Sequence, residues 1–227
     1  MKVSINDRKL ARHSVGERSG AWLSAALLLA GLLLVACEDR DVPPAIDHPP
    51  AVTPLPIAMG VYYPPEFRTA RCSVKYLTGF LKPLEEAMMQ PWSRTVIIGP
   101  AQVAAFDLVW PAMFKSVVPL ESPPSANAAS GLAGAITVAL DDCSLANSSG
   151  QISHVSITYR FTLTSASGDI KATWSVIGFT TGVEHGGSGP YLQEALRNAV
   201  AKFVAGFDTE PALAAWRAQL SAQGMVR

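Results

Sequence analysis

The strongest constraint on the fold is an alternation of apolar and polar side chains between Val155 and Thr164. Every second residue is apolar, and the residues between them are serine, threonine or arginine. Successive side chains of a strand point to opposite faces of a sheet, so the pattern predicts a strand with one buried and one wet face. The predicted buried residues are Val155, Ile157, Tyr159, Phe161 and Leu163.

A second alternating stretch follows after a short turn. The turn, Ser165 to Asp169, contains Gly168, and the stretch beyond it, Ile170 to Val176, again places an apolar residue at every second position. Two such stretches joined by a glycine-containing turn predict an antiparallel hairpin.

The composition predicts a folded domain and excludes some partners. Hydrophobic residues make up 49% of the chain and charged residues 16%, which is too apolar for a disordered protein. The formal net charge is +0, and no basic patch indicates nucleic acid as a partner.

Other short segments predict further strands. The apolar run Leu55 to Tyr63 has apolar residues at both parities, as in a central strand that is buried on both faces. Residues 94–98, 117–121 and 135–140 are each short and apolar or β-branched, and each predicts one more strand.

Three helices are predicted. An apolar stripe beginning after Pro100 predicts the first, with a kink or an early end at Pro111. A stripe within residues 190–207 predicts the second, and Thr209 is expected to cap a third that ends before Gly224. We therefore expect a single α+β domain over residues 55–227. Its sheet is expected to be mostly antiparallel, with one helix after the early strands and the C-terminal helices packed on it.

The N-terminal segment has the parts of a bacterial export signal. Basic residues are scattered from Lys2 to Arg18, an apolar run extends from Ala21 to Ala36, and acidic residues begin at Glu38. The apolar run is shorter than the ~20 residues of a membrane-spanning helix. Its end, Leu34-Val35-Ala36-Cys37, resembles the lipobox of bacterial lipoprotein signal peptides.

This resemblance implies a signal peptide over residues 1–36 and a lipid on Cys37, which would be the first residue of the mature protein. The domain would then face the periplasm from the cell membrane or the outer membrane, and Glu38 after the cysteine favours the outer membrane. An uncleaved anchor and ordinary secretion are the alternatives. Residues 37–54 are rich in proline, which predicts an extended spacer that holds the domain clear of the bilayer.

The search for chemical motifs is mostly negative. His48, His154 and His185 have no partner at the spacing of metal ligands, and Asp141-Asp142 is typical of a solvated turn. We read Gly182 to Gly189 as a flexible connector, because it has neither the lysine of a phosphate-binding loop nor the pattern of a nucleophile turn. No metal and no cofactor are therefore expected.

Two cysteines of the mature chain, Cys72 and Cys143, would face an oxidising compartment. A disulfide between them and two separate buried thiols are both open interpretations. The aromatic and proline-rich sequence from Tyr62 to Phe67 could cover the edge of the core or, as we hypothesise, expose Tyr63 and Phe67 to a protein partner.

The order of the predicted elements resembles that of small envelope lipoproteins that serve as auxiliary parts of export systems, such as those of the lipopolysaccharide-assembly and ABC-auxiliary type. The resemblance implies a protein without a catalytic centre that acts as an accessory or scaffold subunit and binds a protein partner in the envelope. An envelope hydrolase whose catalytic groups assemble only in space is one alternative, and a purely structural lipoprotein is another.

Overall fold

The computed structural model describes residues 42–77, 95–125, 131–148, 151–182 and 188–224. The strands are β1 (Leu55–Tyr62), β2 (Arg71–Leu77), β3 (Thr95–Ile97), β4 (Phe114–Leu120), β5 (Gly134–Ser148), β6 (Gln151–Thr164) and β7 (Ile170–Thr181). The helices are α1 (Pro65–Arg68), α2 (Gly99–Met113), α3 (Ser188–Gly206) and α4 (Ala214–Ala222), with a 3₁₀ turn at Pro211–Leu213. These elements confirm the predicted α+β class.

The seven described strands form one sheet around the long strand β5. Along one edge, β5 is antiparallel to β6, which is antiparallel to β7. Along its other edge, β5 is parallel first to β1 and then to β2. The remaining strands lie outside these two, with β4 parallel to β1 and β3 antiparallel to β2. The sheet is therefore mixed, and the prediction of a mostly antiparallel sheet is confirmed only in part: the two longest pairings, β5 with β6 and β6 with β7, are antiparallel, but β1 and β2 pair with β5 in parallel.

The predicted hairpin is confirmed, except at Ile170, the first residue of its second strand, which is 70% exposed beside a register shift. Phe161 of β6 pairs with Trp174 of β7, and the five apolar residues predicted to be buried in β6 all lie in the core. At the turn, Gly168 has a φ of 92°, a conformation that costs glycine little. The prediction that β1 is central is also confirmed, since β1 lies between β4 and β5.

The helices cover the face of the sheet on which the β6 core residues lie. Phe203 of α3 stacks on Phe161 with ring centroids 4.4 Å apart, and Phe106 of α2 meets Phe161 edge-on at 5.7 Å. The apolar stripe predicted for α3 is confirmed, because its residues Leu192, Leu196, Ala199, Phe203 and the following Phe207 are all buried.

The helix ends differ in part from expectation. Helix α2 continues past Pro111 and ends at Met113, where the chain enters β4. Thr209 does not cap the last helix: its hydroxyl donates to the carbonyl of Gly206, and Glu210 instead caps the 3₁₀ turn before α4. Gly224, with a φ of 68°, ends α4 as predicted.

The domain also begins earlier than Leu55. Val42 is 5% exposed and Ala45 is 1% exposed, and both belong to the main core. The amide of Val42 donates to the carbonyl of Ile97 in β3. The expectation of a spacer outside the fold is therefore wrong for residues 42–46, while residues 37–41 lie outside the described part of the chain.

Candidate functional site

Tyr63 and Phe67, the predicted partner-binding residues, are in the core. Their exposed fractions are 6% and 1%, and their rings stack at 5.3 Å. Phe67 also packs against Phe106 and Tyr159. The expectation that they are exposed was wrong, because the short helix α1 after Pro64 turns the chain inward and places Phe67 between the sheet and α2.

The hydroxyl of Tyr63, which lies between β1 and α1, connects this part of the chain to α2. It donates to Oδ1 of Asp107 at 2.9 Å and accepts the indole N–H of Trp110 at 2.7 Å. Burial, with a further contribution from the Asp107 carboxylate, raises the pKa of Tyr63 far above its usual value. The phenol therefore stays protonated, and its place in the network is that of a structural donor.

Gln102 is a second polar link, one that the sequence analysis missed. It is fully buried, its Nε2 donates to the carbonyl of Phe67 at 2.5 Å, and its Oε1 accepts from the Tyr159 hydroxyl at 3.0 Å. Burial raises the pKa of Tyr159, so this hydroxyl also remains a donor. Both ends of the buried amide are satisfied, so Gln102 fixes α1 against α2 and β6. The sequence signal that could have revealed this link is a lone glutamine in an apolar helix, two residues after Pro100.

Cys72 of β2 and Cys143 of β5 are joined by a disulfide, with Cα atoms 5.3 Å apart. The bond crosses two neighbouring parallel strands, and Cys72 is completely buried. Of the two interpretations that the sequence leaves open, the structure has the bonded one. Its presence in protein isolated from the envelope stays a prediction.

The other candidates do not converge on a reactive site. Asp141 forms an ion pair with Arg160 at 3.0 Å, and the ring of His154 lies 6.1 Å from that of Phe179. In the part of the chain that the structure describes, no three histidine, cysteine or acidic side chains gather where they could hold a metal ion. Cys37 and His185 lie outside the described residues.

An open groove of about 400 Å³ beside α3 is a candidate binding surface. One wall is the segment 46–52, and the other is the outer side of α3. We call it the α3 groove, and its lining residues are Ile46, His48, Pro50, Ala51, Val52, Arg197, Val200, Ala201, Val204 and Ala205. The lining is mostly apolar, with two basic side chains and no acidic one. Such a groove can hold an apolar chain or surface.

Side chains of α3 hold the two residues that precede this wall. Gln193 donates through Nε2 to the carbonyl of Pro44 at 2.6 Å, and Arg197 donates through Nε to the carbonyl of Ala45 at 3.0 Å. The two side chains are four residues apart and therefore lie on one side of the helix. Arg197 is also ion-paired with Glu194 on the same helix.

No family model and no curated protein matches the sequence. Among solved structures, a protein of the DUF330 family from Xanthomonas campestris is similar with a TM-score of 0.45 and 10% identity, over 74% of this chain and 92% of the other. A putative neuraminyllactose-binding hemagglutinin homolog from Helicobacter pylori has a TM-score of 0.33 and 11% identity, over 75% and 92%. At these TM-scores the likeness does not identify a family.

Proposed function

We propose that this chain is an envelope lipoprotein, anchored through a lipid on Cys37, that acts as a non-catalytic accessory or scaffold subunit of an envelope transport or assembly system. The observation that carries the proposal is Leu34-Val35-Ala36-Cys37 at the end of an apolar run that follows a basic segment. Lipid on the cysteine places the folded domain at a membrane surface, facing the periplasm.

The disulfide supports export from the cytoplasm. Disulfides persist in oxidising compartments such as the periplasm and are rare where thiols are kept reduced. Cys72 and Cys143 are well placed for such a bond, since their strands are neighbours and their Cα separation is ordinary for a disulfide. A periplasm-facing domain is the location that fits both features.

The start of the fold supports a role close to the bilayer. Cys37 lies five residues before Val42, which is fixed in the core. A chain of that length spans at most about 18 Å, whatever its conformation. With a lipid on Cys37, the start of the folded domain would therefore stay near the membrane surface.

The anchor is tested by Cys37→Ser in the native host, with metabolic labelling by a tagged fatty acid and with gel mobility as a measure of processing. We expect the variant to lose the label and to accumulate unprocessed. Cys72→Ser is the matched control, since it also removes a cysteine, and it should keep the label. Unchanged labelling of Cys37→Ser would refute the lipoprotein assignment.

The accessory role is tested separately, by crosslinking in intact cells followed by affinity recovery and native gel analysis of membrane extracts. We expect the wild-type protein to migrate in a complex larger than itself, and Cys37→Ser to leave that complex. If the lipidated wild-type protein migrates alone after crosslinking, the accessory role is wrong and a purely structural lipoprotein takes its place.

A further inference from the structure

The wall of the α3 groove begins close in sequence to Val42, the first described residue of the chain. Ile46, the first residue of its wall, follows Val42 by four residues and Ala45 by one. Hydrogen bonds from Gln193 and Arg197 hold the two carbonyls of Pro44 and Ala45, directly before this wall, to α3. Eight residues separate Cys37 from Ile46, and the last four of them, 42–45, belong to the described fold.

The groove presents apolar side chains outward. Val52 is 38% exposed, the lowest value among the five exposed large apolar side chains of the described residues. Across from it, Ala201 and Ala205 are exposed on α3, and Val204 is half-buried between them. Small side chains on a helix leave a shallow channel, so a thin apolar chain can approach the helix backbone.

The groove is mostly apolar, and the charge of its one arginine is compensated. Arg197 is ion-paired with Glu194, and its Nε donates to the carbonyl of Ala45. An apolar strip with a polar rim is a feature of surfaces that contact a protein or a membrane.

We propose that the α3 groove lies on the membrane leaflet into which the lipid of Cys37 is inserted. The groove binds the upper part of the acyl chains of the lipids in that leaflet. This inference rests on the proposed lipid anchor, which confines the groove to the neighbourhood of the bilayer. The short span from Cys37 to Val42 is the reason for choosing lipid as the occupant over a distant protein. Contact of this kind orients the domain on the membrane, with α3 lying along the surface.

The test places a fluorescent label at single introduced cysteines of the full lipidated protein. Val52→Cys and Ala201→Cys report the groove, and Thr173→Cys, exposed on β7, is the matched control. The proteins are reconstituted into phosphatidylcholine vesicles with or without bromine on the upper part of the acyl chains. Flotation of the vesicles reports anchoring, and bromine quenching in the floated protein reports contact with lipid.

We expect both groove labels to lose fluorescence in brominated vesicles and the Thr173→Cys label to keep it. Adding Ala201→Glu to the Val52→Cys protein should abolish the quenching, because a carboxylate is costly to move into lipid. Glutamate is a good helix former, so α3 should be preserved.

If the groove labels of the floated protein are quenched no more than the control label, the proposed groove contact is wrong and the proposed anchor still stands. If the groove labels are shielded from water in the floated protein but are not quenched by bromine, a second copy of the chain occupies the groove. That result also contradicts the proposed contact with lipid. Failure of the wild-type protein to float refutes the anchor, and the groove contact falls with it.

Discussion

Gly178 on β7 should be among the least replaceable residues of the domain, because α3 crosses directly over it. A Cβ added at Gly178 would lie 2.0 Å from the carbonyl oxygen of Ala195 and 2.7 Å from the Cβ of Ala199. Both contacts are with the helix itself, and the oxygen belongs to its backbone. No change of rotamer can therefore relieve the clash of Gly178→Ala.

The size of the effect follows from the displacement required. Ordinary contact for such a pair begins near 3.4 Å, so the backbones must separate by roughly 1.4 Å at this point. Overpacking of a core costs typically 1–3 kcal/mol, and a clash with backbone belongs at the upper end, about 3 kcal/mol. The shift would also strain the hydrogen bonds from Asn198 to the carbonyl of Phe179 and from Lys202 to the carbonyl of Ile177.

The assay is thermal and urea unfolding of purified Gly178→Ala. A loss of about 3 kcal/mol in a domain of this size lowers the thermal midpoint by roughly 6–12 °C. Gly206→Ala at the end of α3 is the matched control, because an added Cβ there meets nothing within 4 Å. It should be neutral or stabilising by up to about 1 kcal/mol. Equal midpoints for the two variants would refute the close approach of α3 to β7.

Three further expectations concern the core. Phe161→Ala should lower the free energy of unfolding by ~3–5 kcal/mol, because Phe161 is completely buried, whereas Thr162→Ala on the opposite face should change it by less than about 0.5 kcal/mol; similar losses in urea titrations would place the strand one residue out of register. Reduction of the Cys72–Cys143 bond, which closes a separation of 71 residues, should cost about 4 kcal/mol, and free thiols in a mass map of alkylated, unreduced protein from the envelope would contradict the bond. Tyr63→Phe leaves a buried indole N–H without its acceptor and should cost about 1–3 kcal/mol, with an unchanged thermal midpoint counting against the network.

The hairpin was predictable in detail because each of its strands has one wet face. Ser156 and Thr158 alternate with Val155 and Ile157, so the pattern indicates which face of the strand is buried. The stripe of α3 was predictable for the same reason, at a period of 3.6.

The parallel pairings were not predictable by this route. Strand β1 is apolar at both parities, which indicates burial on both faces but not the direction or identity of its neighbours. Its parallel partner β4 follows only after β2, β3 and α2, and periodicity within a segment contains no information about such a crossover.

The prediction that the aromatic residues after β1 are exposed was wrong for a related reason. The prolines of this stretch do restrict the backbone, as the sequence suggests. The direction of the chain after them depends on the side chains against which it packs. Phe67 is buried because Phe106 and Tyr159 supply a place for its ring, and Tyr63 is held because Asp107 and the Trp110 indole complete its hydrogen bonds. Large apolar side chains near prolines are compatible with burial in the core and with exposure on the surface, and only the packed structure distinguishes the two.

The proline-rich segment after Cys37 has the most consequence for the proposed function. Composition predicts a spacer, since proline disfavours helix and removes backbone donors. The same properties leave carbonyl acceptors without competing local donors, and α3 uses two of them, at Pro44 and Ala45. A free spacer would let the domain rotate above the bilayer. Under the proposed lipid anchor, a segment fixed from Val42 onward would leave only the five residue steps from Cys37 to Val42 between the lipid and the fold, a span of at most about 18 Å.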